Sequence, residues 1–120
     1  MGIFIDTLGG GTSGQTESTN ITTITESTAA ITPDNNTEYR CGEVTSVTIT
    51  LPEDMPDDYA AYIVFTSGTT AAEAVYPDTI EWSGDDVIDG VFIPIASRRY
   101  NIGIWYDGVN VNAVARGAGV

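Results

Sequence analysis

Ten of the eleven aromatic side chains lie after residue 38, so whatever core the chain builds must be built there. In that region short β-branched and aromatic runs recur, separated by clusters of Gly, Pro, Asp and Asn. This texture predicts an all-β domain. Strands are expected at about 28–32, 37–41, 44–51, 59–66, 73–76, 79–82, 91–95, 99–106 and 109–115. No window carries a convincing 3.6-residue period. The one helical candidate, Thr70 to Ala74, is too short to stand alone.

Alternation sharpens several of these strands. Val47, Ile49 and Leu51 are apolar while Thr48 and Thr50 are not, which puts one face in the core and one in water. Tyr100, Ile102, Ile104 and Tyr106 share one face of the run 99–106, opposite Arg99, Asn101, Gly103 and Trp105. In the next run Val109, Val111, Ala113 and Ala115 alternate with Asn110, Asn112 and Val114. Asp107-Gly108 between them predicts a hairpin closed by a two-residue type I′ loop. Trp105, on the polar face, either stacks over the neighbouring strand or marks a contact surface. The run Tyr59 to Phe65 is almost continuously apolar, as expected of a strand covered on both faces or lying at a subunit interface. The expected fold is an antiparallel β-sandwich, jelly-roll or Ig-like, over residues 36–120, preceded by an extended arm over 1–35.

The arm differs in composition. Residues 6–28 hold fifteen Thr, Ser or Gly among twenty-three positions and no aromatic. Alone, such a stretch buries too little surface to offset its ordering entropy. Two readings stay open: a disordered tail, or an arm ordered by lying on a neighbouring subunit. Ile3, Phe4 and Ile5 form a small apolar tip beyond the spacer, and such a tip on a leash suits contact between neighbours.

The side-chain inventory excludes much chemistry. There is no His and no Lys; four Arg face seventeen Asp plus Glu, for a formal charge of −13. A Ser-His-Asp triad, a Schiff base, a P-loop and a His-ligated zinc site are therefore ruled out. The charge opposes binding to nucleic-acid backbones or anionic membranes. No enzyme and no cofactor is expected. No secretory signal is visible, and no apolar run approaches the roughly 18–20 residues of a membrane span.

Two acidic clusters stand out, Glu53 to Asp58 and Asp85-Asp86 with Asp89. Neither has the alternate-residue spacing of an EF-hand, so they read as solvated turns, with structural calcium as the alternative. Arg98, Arg99, Arg116 and Arg40 are expected in ion pairs, within the chain or across a subunit boundary. The lone Cys41 reads as a small buried hydrophobe. Trp82, Trp105 and Tyr76 could together form an aromatic platform for a glycan.

Three stretches carry a resemblance: Asn36 to Ile49, Tyr76 to Asp86, and Arg99 to Asn110. Together they resemble the β-domain of small structural proteins of tailed bacteriophages and prophages, over about residues 36–120. The resemblance implies a virion component, made in the host cytoplasm. It would be a capsid decoration or head-fibre protein, anchored by its arm and stabilising or decorating the particle. A tail or baseplate fibre tip and a carbohydrate-binding module are the alternatives. Implied partners are copies of itself, as a trimer or other homo-oligomer, and the major capsid or another virion protein, with a host surface glycan as a further candidate. The expected interface is Ile3, Phe4, Ile5, Trp82, Arg98, Arg99 and Trp105.

Overall fold

A computed structural model describes residues 20–120. It is all-β. The strands are β1 (Asn20–Ile24), β2 (Thr28–Ile31), β3 (Thr37–Val44), β4 (Ser46–Ile49), β5 (Ala60–Ser67), β6 (Glu73–Val75), β7 (Ile80–Gly84), β8 (Val87–Ile88), β9 (Val91–Phe92), β10 (Arg98–Tyr106) and β11 (Val111–Gly119). Each expected run holds a strand. The period-two signal is realised as read: β4 buries Val47 and Ile49, while β10 buries Tyr100, Ile102 and Ile104.

Six strands form one sheet in the order β1-β3-β5-β10-β11-β7, three form a second in the order β2-β4-β6, and β8 pairs with β9. Here the structure departs from the antiparallel expectation. β1, β3 and β5 are mutually parallel in the first sheet, and β2, β4 and β6 in the second. The chain alternates between the sheets, adding one strand to each per circuit. Parallel neighbours need a crossover of about a dozen residues, and here the crossover is itself a strand of the other sheet. Antiparallel pairing is confined to β5 with β10, β10 with β11, and the β8–β9 hairpin, while β7 closes the far edge parallel to β11. Alternation of side chains reports which face is wet but not the direction of the neighbouring strand, so this pattern predicts strands without fixing their pairing.

Both sheets feed one core. Ala29, Ile31, Val47 and Ile49 of the second sheet join Ala61, Ile63, Phe65, Ile102, Ile104, Ala113 and Ala115 of the first in a single buried cluster. At one end a run of rings fills it: Tyr76 against Trp82, Trp82 stacked on Phe92 at 4.8 Å, and Phe92 edge-on to Tyr100 at 5.2 Å.

The boundary expected at residue 35 falls inside this body. β1 and β2 lie within the span read as arm, and Ala29, Ile31 and Pro33 are buried. The Tyr59 hydroxyl donates to the Pro33 carbonyl at 2.6 Å, and Tyr39 accepts the Asp34 N–H at 2.8 Å. Ala29 and Ile31, with Ile24 packed beside the cluster, supply this segment's apolar contacts to the core. Residues 1–19 lie outside the described part.

The β10–β11 hairpin also corrects its expectation. Tyr106 pairs with Val111 rather than Val109, leaving a four-residue connection, 107–110. Gly108 has φ of 92°, while the Asp107 carboxylate accepts the Val109 and Asn110 N–H groups. That side-chain bonding stabilises the wider loop over the type I′ turn. The change is two residues in register, so Val111, Ala113 and Ala115 keep the core face. In β3 the pairing with β5 jumps from Arg40↔Val64 to Glu43↔Thr66, a bulge of one extra residue around Cys41 and Gly42.

Candidate assembly surface

The six-stranded sheet has a second face, pointing away from the core, and its side chains follow from the register. One row runs Ile21, Glu38, Tyr62, Gly103, Val114 and Ser83; the next runs Thr23, Arg40, Val64, Asn101 and Arg116. A third holds Ala60, Trp105, Asn112 and Glu81. Tyr62 and Val114 lean over Gly103, within 4.0 Å of where a β-carbon would stand. Tyr62, Val64 and Val114 are half-buried, whereas Trp105 is 39% and Ile21 54% exposed. The face is thus an aromatic and aliphatic strip with a charged margin. The apolar run Tyr59 to Phe65 carried that signal, because its even members project here.

Three of the four arginines, Arg40, Arg99 and Arg116, belong to this outer face by their register. Arg40 pairs with Glu38 through its Nε. Arg99 and Arg116 are diagonal neighbours, since Arg99 opposes Ala118 and Asn101 opposes Arg116. Among the described residues neither of the two forms an ion pair. Glu38, Glu43 and Glu81 balance the three cations on a chain whose net charge is −13. Elsewhere acid dominates, so a like-charged copy meets least repulsion on this face.

The structure divides the expected interface residues. Arg99 and Trp105 share the outer face. Trp82 does not join them. It is 7% exposed and stacked inside the core, because its even position on β7 shares the inward face with Ile80. Its Nε1–H has no partner among the described residues. Tyr76 is likewise turned inward, exchanging hydrogen bonds with the Phe92 backbone. The aromatic platform considered for a glycan is therefore dismantled. Arg98 is half-covered and bonded to Asp86 at 3.4 Å. Ile3, Phe4 and Ile5 lie outside the described residues.

The acidic turns differ from each other. Asp86 accepts the Tyr100 hydroxyl at 2.6 Å, and Asp85 accepts the Gly117 N–H at 3.0 Å, so both carboxylates serve the fold. Asp86 and Asp89 adopt left-handed φ values of 58° and 52° around this hairpin. The turn Glu53 to Asp58 is exposed apart from Met55. Among the described residues no three His, Cys, Asp or Glu side chains are gathered as a metal site would need. Cys41 is part-buried against the core, and burial pushes its thiol pKa up, which keeps it protonated and unreactive.

A further feature escapes sequence reading. β1 and β2 are the outermost strands of their sheets at the same end of the molecule, joined by residues 25–27. Among the described residues each has a strand neighbour on one side only. Four large aliphatics, Ile88, Val91, Ile93 and Ile95, are also exposed along the β8–β9 segment.

No known protein family, curated protein or solved structure matches the chain.

Proposed function

We propose that this chain is a structural component of a bacteriophage virion: a two-layer β-sandwich that works as a repeated building block. Its most fitting place is the capsid surface, as a decoration or head-fibre protein. Residues before Asn20 attach it, and the folded body stabilises or decorates the particle. Copies of itself and a major capsid or other virion protein are its partners. No catalytic step is assigned to it.

The observation that carries this reading is the combination of an acid-rich surface with one neutral sheet face. On that face Tyr62, Val64, Val114 and Trp105 form an apolar strip edged by Arg99 and Arg116, which make no ion pair among the described residues. Association of many like-charged copies must use surfaces where charge cancels and apolar area can be buried. Closed symmetric assembly of one small chain then follows from repeating a single contact. The resemblance of 36–120 to phage structural β-domains supports the same placement.

Light scattering after size exclusion tests it on two chains, the full one and one begun at Asn20. Among the described residues every buried core side chain lies from Ala29 onward, so the shorter chain keeps all of these. The full chain is expected as a discrete oligomer, and the shorter one as a smaller species with unchanged β-sheet circular dichroism. A full chain that stays monomeric at millimolar concentration, alone and with capsid protein, would overturn the reading.

A further inference from the structure

Among the described residues no strand pairs with the outer edge of β1. Exposed edges are normally blunted by Lys, Pro, a bulge or an inward charge. Asn20–Ile24 and Thr28–Ile31 contain none of these. The direction of the free groups is fixed by one bond: the Asn20 N–H donates to the Asn36 carbonyl, on the β3 side. Backbone groups alternate sides along a strand, so the N–H groups of Ile21 and Thr23 face away from β3, toward the open edge.

The steps of the stack differ, twenty-four residues between β3 and β5 and a shorter one between β1 and β3. β1 and β3 pair Asn20 with Thr37, and Ile24 with Cys41, an offset of seventeen residues. Taking the same step backward from β1 lands on Ile3-Phe4-Ile5-Asp6-Thr7, the one apolar cluster before Asn20. At that register Phe4 stands beside Ile21, which is 54% exposed. Adjacent strands lie about 4.8 Å apart, so the ring would cover it. Ile3 and Ile5 fall on the side of Ile24, which packs against the core.

The connection between the two decides whose edge is filled. The circuit from β1 to β3 succeeds because Ala29, Ile31 and Pro33 are buried along it. Residues 8–19 offer only Leu8 in their place, with Gly9, Gly10, Gly11 and Gly14. Glycine loses the most conformational freedom on ordering and covers nothing. This stretch makes a poor circuit and a good tether. Twelve such residues span about 19 Å on average and about 40 Å when drawn out. That is enough to reach an adjacent copy.

We infer that the open edge of β1 receives residues Ile3–Thr7 of a second copy as a donated parallel strand, with Phe4 opposite Ile21. This deepens the building-block reading and rests on it, by naming the segment exchanged and the seat that receives it. Backbone pairing gives affinity in such strand addition, and the alternate side chains set register.

The test uses full-length chains with Cys41→Ala. One preparation carries Phe4→Cys and another Ile21→Cys; they are mixed and treated with a short bis-maleimide. The expected result is a cross-linked heterodimer in the mixture, at several times the yield of either preparation alone. Thr23→Pro in the receiving copy deletes an outward N–H that β3 does not use, a substitution edge strands accept. It should cut the yield at least tenfold, with the circular dichroism of the fold unchanged. Ile3→Asp in the donor should do the same. Yield indifferent to both changes would overturn the inference. So would a Phe4→Cys/Ile21→Cys double variant that bridges within one chain in place of pairing two. Oligomers by light scattering without the cross-link would sink strand donation and spare the building block; monomers throughout would sink both.

Discussion

The Tyr100 hydroxyl donates to Asp86 Oδ2 at 2.6 Å while accepting the Ile95 N–H at 2.9 Å. Asp86 also holds Arg98 at 3.4 Å, so one carboxylate fastens the β8–β9 hairpin to the start of β10. The ring of Tyr100 is fully buried against Phe65 and Phe92. Tyr100→Phe keeps that packing and removes the hydroxyl, leaving the Ile95 N–H without its acceptor. A loss of about 1–3 kcal/mol is expected in urea unfolding. An unchanged midpoint would mean that the hairpin is fastened elsewhere.

The same tyrosine sets an alkaline limit. Burial, then its hydrogen bond to Asp86, pushes its pKa from the ordinary 10.0 up to about 12. The folded state therefore holds this proton more tightly than the unfolded chain does. Its contribution is complete below pH 10 and is lost as pH rises through about 12. Tyr59 is shifted upward too, chiefly by burial, and adds a loss of the same sign at higher pH. Stability measured from pH 9 to 12 should fall more steeply in the parent than in Tyr100→Phe. Parallel curves would refute the assignment.

Gly84 has φ of 105°, and a β-carbon there would run into the Ala115 carbonyl oxygen. β7 and β11 meet closely at this point, where Asp85 N–H also donates to Ala115. Neither the backbone region nor the space suits an L side chain. Gly84→Ala should cost about 1–3 kcal/mol in thermal or denaturant unfolding. Retention of parental stability would show that the edge strand gives way freely.

The two tryptophans should report opposite environments. Trp82 is stacked on Phe92 inside the core, and Trp105 stands on the outer face. With Trp105→Phe, the remaining indole is expected to emit to the blue and resist acrylamide. With Trp82→Phe, the remaining indole should be quenched readily in dilute solution and become shielded as copies associate. Because the Trp82 Nε1–H has no partner among the described residues, Trp82→Phe loses no hydrogen bond seen there, whereas Trp82→Ala should cost about 3–5 kcal/mol. Equal quenching of both indoles in dilute solution would contradict the buried placement.

The sequence reveals the strands but not their wiring, for a physical reason. Burial alternates with period two whichever way a neighbour runs, so Tyr100, Ile102 and Ile104 are legible as core residues while the parallel β1-β3-β5 stack is not. Trp82 reads as a surface aromatic, grouped with Trp105 and Tyr76 in an exposed platform. In the structure β7 continues to Gly84, and β9 supplies Phe92 to cover the indole. Arg99 and Trp105 were legible as outward-facing from the alternation of 99–106. The alternation also put Val114 on the outer side and the apolar run signalled Tyr62, but only the cross-strand register places the two over Gly103. The strand at Asn20–Ile24 was hidden by its composition, since its Thr-rich sequence matches that of the residues before it.

Ionic strength separates the forces that hold copies together. Each chain carries −13, so general repulsion between copies is strong at low salt. The screening length falls from about 30 Å at 0.01 M to about 3 Å at 1 M. Backbone pairing at β1 and apolar burial around Tyr62 and Trp105 involve no net charge and survive that screening. Association is therefore expected to tighten as sodium chloride rises from 0.02 to 0.5 M, measured by sedimentation velocity. Were Arg99 and Arg116 the main attraction, seeking carboxylates on the next copy, the same titration would loosen the complex. Arg99→Ser together with Arg116→Ser then decides the matter at fixed salt. The substitutions add two units to the repulsion, so a modest weakening that disappears at 0.5 M fits contact by strand and apolar face. A complex that falls apart at every ionic strength would instead assign the attachment to the two guanidinium groups.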